Sequence, residues 1–266
     1  MFALFRPIAT LGLALAVLLP TAALAELQSK VVDYKDGDTP LRGHLFWDDS
    51  IEGKRPGVIV VHEWWGLDDY ALHRAKMLAE MGFVAFAADM YGDSKVTNHA
   101  KEASGWMQQI TANVDQWQQR ALLGLDVLMA DPHTDAERMA AIGYCFGGAT
   151  VMQMAYAGAD LDAVVSFHGS LPVASEAQAK AIKGKVLVAH GNQDSFIPAE
   201  RVDAFRAALD GAGVDWEMDI YGGVRHGFTN PGAGSYGIDN LKYDAEADVR
   251  SWKRMTDLFA EIFSVE

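Results

Sequence analysis

Apolar positions in this chain come in short blocks, most of them followed by a longer stretch with helical spacing. Val31–Lys35 and Leu41–Phe46 flank the turn-rich Asp36-Gly37-Asp38, which predicts an antiparallel hairpin at a sheet edge. Six nearly continuous apolar runs follow: Val58–Val61, Val84–Ala87, Met139–Ile142, Ala163–Phe167, Val186–Ala189 and Trp216–Tyr221. Helical patterns lie over Tyr70–Met81, about His99 to Ala130, Ala149–Ala157, Ala199–Ala212 and Tyr243–Phe263. Strands apolar throughout, alternating with helices, predict an α/β fold with a mostly parallel sheet covered on both faces. In such sheets functional residues sit in loops at the carboxyl ends of strands. No repeat or linker interrupts the pattern.

The first 25 residues stand apart. A single positive residue, Arg6, precedes the apolar run Leu11–Leu19, and Ala23-Leu24-Ala25 has the small-x-small form of a cleavage site. This predicts a secretory signal peptide over 1–25, cleaved after Ala25. A single domain over 26–266 would then be delivered to the periplasm or outside the cell. No cysteine follows the apolar run, so the leader is not of the lipoprotein kind, and no later stretch is a membrane-span candidate. The composition, 50% hydrophobic and 22% charged over 266 residues, is that of an ordinary globular protein. The formal net charge of -14, with no basic stripe, argues against nucleic acid as a partner. One cysteine cannot form an internal disulfide. In an exported protein it is either a reactive thiol or one half of an intermolecular bridge.

That cysteine is Cys145, at the centre of Gly143-Tyr144-Cys145-Phe146-Gly147 between a predicted strand and a predicted helix. This is the G-x-nucleophile-x-G turn, which lifts a nucleophile clear at the top of a sheet. An acid and a histidine follow in the order this architecture requires: Asp194 beyond the strand Val186–Ala189, then His226 beyond the strand ending at Tyr221. His226 would take the thiol proton, and Asp194 would fix the imidazole tautomer. The segment Val61-His62-Glu63-Trp64-Trp65-Gly66 leaves a buried strand and enters a helix, the place of an oxyanion-hole loop. The backbone N–H groups of Trp64 and Phe146 are the expected donors. His62-Glu63 is not a zinc motif, because position 66, where the second histidine would stand, is Gly66; no metal is expected. His168 and His190 end strands and read as satisfied loop histidines.

Together these segments resemble the dienelactone hydrolase family. The features carrying the resemblance are Glu63 in its aromatic loop, Gly-Tyr-Cys-Phe-Gly-Gly, Asp194 before Pro198, His226-Gly-Phe and Asp89-Met90-Tyr91. The resemblance runs from about Leu27 to Phe263. It implies an α/β-hydrolase fold, a Cys145–Asp194–His226 triad and a part for Glu63 in forming the thiolate. It implies a carboxylic ester hydrolase needing no cofactor, with small esters or lactones as substrates. The two arginines with which the family binds a substrate carboxylate have no counterpart in Gly227–Asn230 or in Ser94–Met107, where Lys95, His99 and Lys101 stand instead. Trp65, Tyr91 and Lys101 are the expected substrate contacts. The alternative is a non-catalytic binding or stress-response protein on the same fold.

Overall fold

The computed structural model describes residues 1–2 and 27–263. The expected signal peptide, but for its first two residues, lies outside them. Eight strands form one sheet: β1 (Leu27–Asp36), β2 (Thr39–Asp48), β3 (Arg55–Val61), β4 (Val84–Ala88), β5 (Thr134–Tyr144), β6 (Ala163–Phe167), β7 (Lys185–Gly191) and β8 (Trp216–Tyr221). Their spatial order is β1-β2-β4-β3-β5-β6-β7-β8. The hairpin β1–β2 and the β2–β4 pairing are antiparallel, and every other pairing is parallel. This is the mostly parallel α/β sheet expected from the alternating pattern, in the α/β-hydrolase arrangement that the family resemblance implies.

Among the described residues seven α-helices complete the fold: α1 (Asp69–Glu80), α2 (Ala100–Thr111), α3 (Val114–Met129), α4 (Phe146–Tyr156), α5 (Glu176–Ala181), α6 (Ala199–Ala212) and α7 (Ala245–Ile262). Successive strand residues point to opposite faces, so each central strand feeds two cores. On β3, Ile59 and Val61 belong to one apolar core with Leu125 of α3, Val151 of α4 and Phe205 of α6. Val58 and Val60 pack with Leu78 of α1 and Phe259 of α7. Both faces are thereby sealed, and side chains meet water chiefly at the strand ends. Among the described residues no helix is long and apolar enough to cross a membrane.

Several strands start earlier than the apolar runs, β5 at Thr134 among them, and the helices depart from the sequence pattern in three places. The single helical stretch expected over His99–Ala130 is two helices, because Asn113 caps α3 by accepting the Gln116 N–H at 3.2 Å. Helix α4 starts at Phe146, three residues before the expected Ala149, with Gly147 and Gly148 inside its first turn. Helix α5 was not anticipated; Ser175 and Gln178 close a capping box at its start.

Candidate active site

The turn from β5 into α4 holds Cys145 at φ 54° and ψ -112°. That is close to the first central position of a type II′ turn, a conformation suited to glycine. The turn is this tight because its neighbours have no side chains. A Cβ on Gly147 would lie 2.1 Å from the Val61 carbonyl oxygen, and one on Gly143 would lie 2.1 Å from the Gly147 oxygen. The Cys145 N–H donates to the Phe167 carbonyl (3.0 Å) and to His168 Nδ1 (3.2 Å), so the backbone of the strained residue is held from the neighbouring strand end.

Asp194, past the end of β7, and His226, past the end of β8, meet at 2.7 Å between Oδ2 and Nδ1. Both are buried. The other carboxylate oxygen of Asp194 accepts from Asn240 Nδ2 (2.9 Å) and from the Phe196 N–H (3.0 Å). Burial opposes charge on Asp194, yet these hydrogen bonds and His226 hold its pKa below the ordinary carboxylate value. Nε2 of His226 is shielded from solvent and falls short of a full hydrogen bond; the group it faces is the Cys145 thiol. Burial disfavours imidazolium. The negative charge of the facing Cys145 and the hydrogen bond to Asp194 outweigh it and raise His226 to about 10. A cation on His226 and an anion on Cys145 therefore stabilise each other. Asn240, which anchors the acid, was missed in the sequence; it lies in no motif, and only the return of the chain after the 3-10 turn Ala233–Tyr236 brings it there.

The loop after β3 is set by His62. His62 Nε2 accepts the Met90 N–H (3.2 Å), so Nδ1 carries the proton and donates to the Glu63 carbonyl (2.5 Å). In a planar trans peptide the next N–H points opposite to that carbonyl. The Trp64 N–H is thus turned away from His62, on the loop that borders the Cys145 cleft. Glu63 is buried, and Asn230 Nδ2 donates to its Oε2 at 2.6 Å. Burial dominates and pushes Glu63 up to about 7, the Asn230 hydrogen bond offsetting only part of this. Glu63 is therefore no surface ion-pair carboxylate.

His168 takes the part of a satisfied loop residue. Because its Nδ1 accepts from Cys145, its Nε2 donates to Thr229 Oγ1 (2.8 Å), and Thr229 shares a hydrogen bond with Tyr70 (2.6 Å). Arg74 donates to the Thr229 carbonyl (2.7 Å) and pairs with Asp248 (2.5 Å), tying the His226 loop to α1 and α7. Burial lowers the pKa of both other strand-end histidines, His168 well below the ordinary histidine value and His190 below it.

A cleft of about 480 Å³ opens above Cys145 and His226. Its walls are mostly apolar, with Trp64, Trp117, Phe146 and Phe196 among them. Cys145, His226, Trp64 and Phe146 thus meet in one place, as the sequence suggested. Three expected substrate contacts do not line the cleft. Trp65 is buried behind Trp64, whose ring it meets at 4.8 Å, and it stacks on Tyr236 with ring centroids 3.8 Å apart. Tyr91 lies behind the wall, its ring stacked on Phe146 at 5.4 Å. Lys101 is exposed in the first turn of α2. Arg201, which the sequence did not single out, does line the cleft.

The profile of the dienelactone hydrolase family matches residues 41–263. A relative from Aquifex pyrophilus, protein usf, is 30% identical over 76% of this chain and 87% of its own length. One from Yersinia pestis, provisionally named carboxymethylenebutenolidase, is 28% identical over 91% and 93% of the two chains. Among solved structures, the dienelactone hydrolase-like promiscuous phosphotriesterase P91 from metagenomic libraries superposes with a TM-score of 0.87. It is 43% identical and covers 89% of this chain and 99% of its own.

Proposed function

Because the chain belongs to the dienelactone hydrolase family and is a carboxylic ester hydrolase, we propose that it cleaves activated esters or lactones through a thioester on Cys145. The observation that carries this reading is a cysteine in a strained strand-to-helix turn, facing a histidine whose far nitrogen is held by a buried aspartate. The thiolate adds to the acyl carbon, a C–S bond forms, and the carbonyl electrons move onto oxygen. The Trp64 and Phe146 N–H groups receive that oxyanion, an interaction worth a few kcal/mol in such sites, of order ~3. Collapse breaks the C–O bond, and His226 gives its proton to the departing oxygen. Water then attacks the thioester, His226 takes the water's proton, and the thiolate leaves again. A thiolate leaves readily, so an intermediate formed from a poor leaving group reverts. Enol esters, aryl esters, lactones and thioesters are the matching substrates. Glu63, a buried carboxyl close to neutrality in pKa, is suited to exchange a proton as substrate enters. The leader over 1–25 and the lone unpaired thiol support a mature single-domain enzyme, 26–266, working in the periplasm or outside the cell.

The test is hydrolysis of p-nitrophenyl esters, thioesters, small lactones and an aryl phosphotriester by wild type and Cys145→Ala, with intact-mass analysis during turnover. The expected result is turnover that falls at least about 10³-fold in the variant and a wild-type adduct of the acyl mass. Absence of both turnover and adduct would replace this reading with that of a binding protein on the same fold.

A further inference from the structure

Arg201 is out of keeping with the other arginines of the molecule. The chain has 36 acidic and 22 basic residues, so acidic partners are plentiful. Among the described residues, every other arginine guanidinium holds a carboxylate or a carbonyl oxygen. Arg201 has no such partner, and its helix explains why. Side chains three and four residues apart meet on a helix, and these spacings serve Arg206 with Asp203 and Arg250 with Glu246. At the same spacings Arg201 finds Ile197, Pro198, Ala204 and Phe205. Its flanking acid Glu200 lies one position away and points elsewhere on the helix.

The location of this free cation is as informative as its lack of a partner. Arg201 is in the first turn of α6, directly after the Asp194 loop, and it borders the same cleft as Cys145 and His226. Asp203, two positions on, pairs with Arg206, and Asp194 in the preceding loop is committed to His226 and Asn240, so neither neutralises it. Arg201 is exposed at the mouth of the cleft, so solvent screens it in part, while the apolar walls beside it strengthen a charge pair formed against them. The first turn of α6 adds the positive end of a helix dipole.

We propose that Arg201 reads an anionic group on the substrate, so that the cleft prefers apolar or aromatic esters and lactones carrying a carboxylate away from the scissile bond. Arg201 is then a specificity residue on α6, at a place unlike either segment where the family's arginines were sought. The stretch where one of those was sought, Gly227–Asn230, ends in Asn230, which donates to Glu63. The guanidinium fork can take a carboxylate by two parallel hydrogen bonds, which lysine cannot do. This inference rests on the thiol-hydrolase reading for its substrate, but not for the charge recognition itself.

Two measurements keep these apart. The first compares mono-p-nitrophenyl glutarate with its methyl ester in wild type, Arg201→Gln and Arg201→Lys. The charged-to-neutral ratio of kcat/KM is expected to fall about tenfold in Arg201→Gln, as for loss of one charge-assisted hydrogen bond, and to recover in part in Arg201→Lys. The second compares alkylation of the lone thiol, Cys145, by iodoacetate and by iodoacetamide, which needs no turnover. The iodoacetate-to-iodoacetamide rate ratio is expected to fall in Arg201→Gln in the same direction. A merely structural role would move both members of each pair equally and leave both ratios unchanged, and that result would overturn the proposal. If no ester is hydrolysed but the alkylation ratio falls, the anion site stands and the hydrolase reading fails. If esters are hydrolysed and neither ratio moves, the hydrolase stands and the anion site fails.

Discussion

At the scale of one residue, Cys145 couples backbone strain to reactivity. Its φ of 54° with ψ of -112° costs an L-residue roughly 1–3 kcal/mol. Hydrogen bonds from its N–H to Phe167 and His168 help hold it there. The strain aims the thiol at His226, where the pairing of thiolate and imidazolium raises His226 to about 10 against the cost of burying charge. The strain can be measured without the chemistry. Cys145→Ala and Cys145→Gly both lack the thiol and differ only in a Cβ. In ordinary helical surroundings alanine is the more stable by up to ~1 kcal/mol. Here the order is expected to reverse, with the glycine variant more stable by about 1 kcal/mol in urea unfolding. An alanine variant equal to or more stable than the glycine variant would show that the turn stores no strain.

At the scale of an element, α4 is pressed against the end of β3 by an absent side chain. A Cβ on Gly147 would sit 2.1 Å from the Val61 carbonyl oxygen and 2.6 Å from its carbon, both part of a central strand that cannot give way. Gly105, inside α2, would place its Cβ in open space. Two glycine-to-alanine changes inside helices should therefore differ in sign. Gly147→Ala is expected to destabilise by roughly 3 kcal/mol or more, and Gly105→Ala to stabilise by up to about 1 kcal/mol. Thermal unfolding of both decides it, and equal effects would mean that α4 can slide off β3. The same element shows what the sequence could and could not disclose. The strand Ala163–Phe167 and the helix Ala199–Ala212 were legible to the residue, because apolar spacing and length sufficed. The start of α4 was not, since Gly147 and Gly148 are poor helix formers whose place is fixed by tertiary contact. Cys145, Asp194 and His226 were legible because each follows a strand in a known order. Asn240 and Arg201 were not, because what marks them is a partner in space, or the lack of one. Trp65 and Tyr91 were read as pocket wall because aromatic residues serve equally well as core, and burial alone separates the two.

At the scale of the whole molecule, a titratable group sealed inside the site couples global stability to pH. Glu63 has an ordinary value of 4.5 and is pushed to about 7 in the fold, chiefly by burial. Between those values the unfolded chain carries Glu63 ionised while the folded chain keeps it protonated. The folded state then binds more protons, and stability falls as pH rises through this window. Above about pH 7 both states are ionised and the contribution is constant. The penalty built up across the window is on the order of 3 kcal/mol. Asp194 acts in the opposite sense: its lowered value contributes stability that is lost as the solution becomes acid. The wild-type profile alone therefore mixes these two with the shifted histidines His168, His190 and His226, and comparison with Glu63→Gln isolates the Glu63 part. Glutamine cannot titrate, and its side-chain oxygen can still accept from Asn230. Urea unfolding at pH 5, 6, 7 and 8 should show wild type losing stability relative to Glu63→Gln from pH 5 to 7, with the gap then constant to pH 8. Parallel curves across the whole range would mean that Glu63 keeps its ordinary carboxylate behaviour. It would then be ionised throughout the neutral range, with no proton left to exchange as substrate enters the cleft.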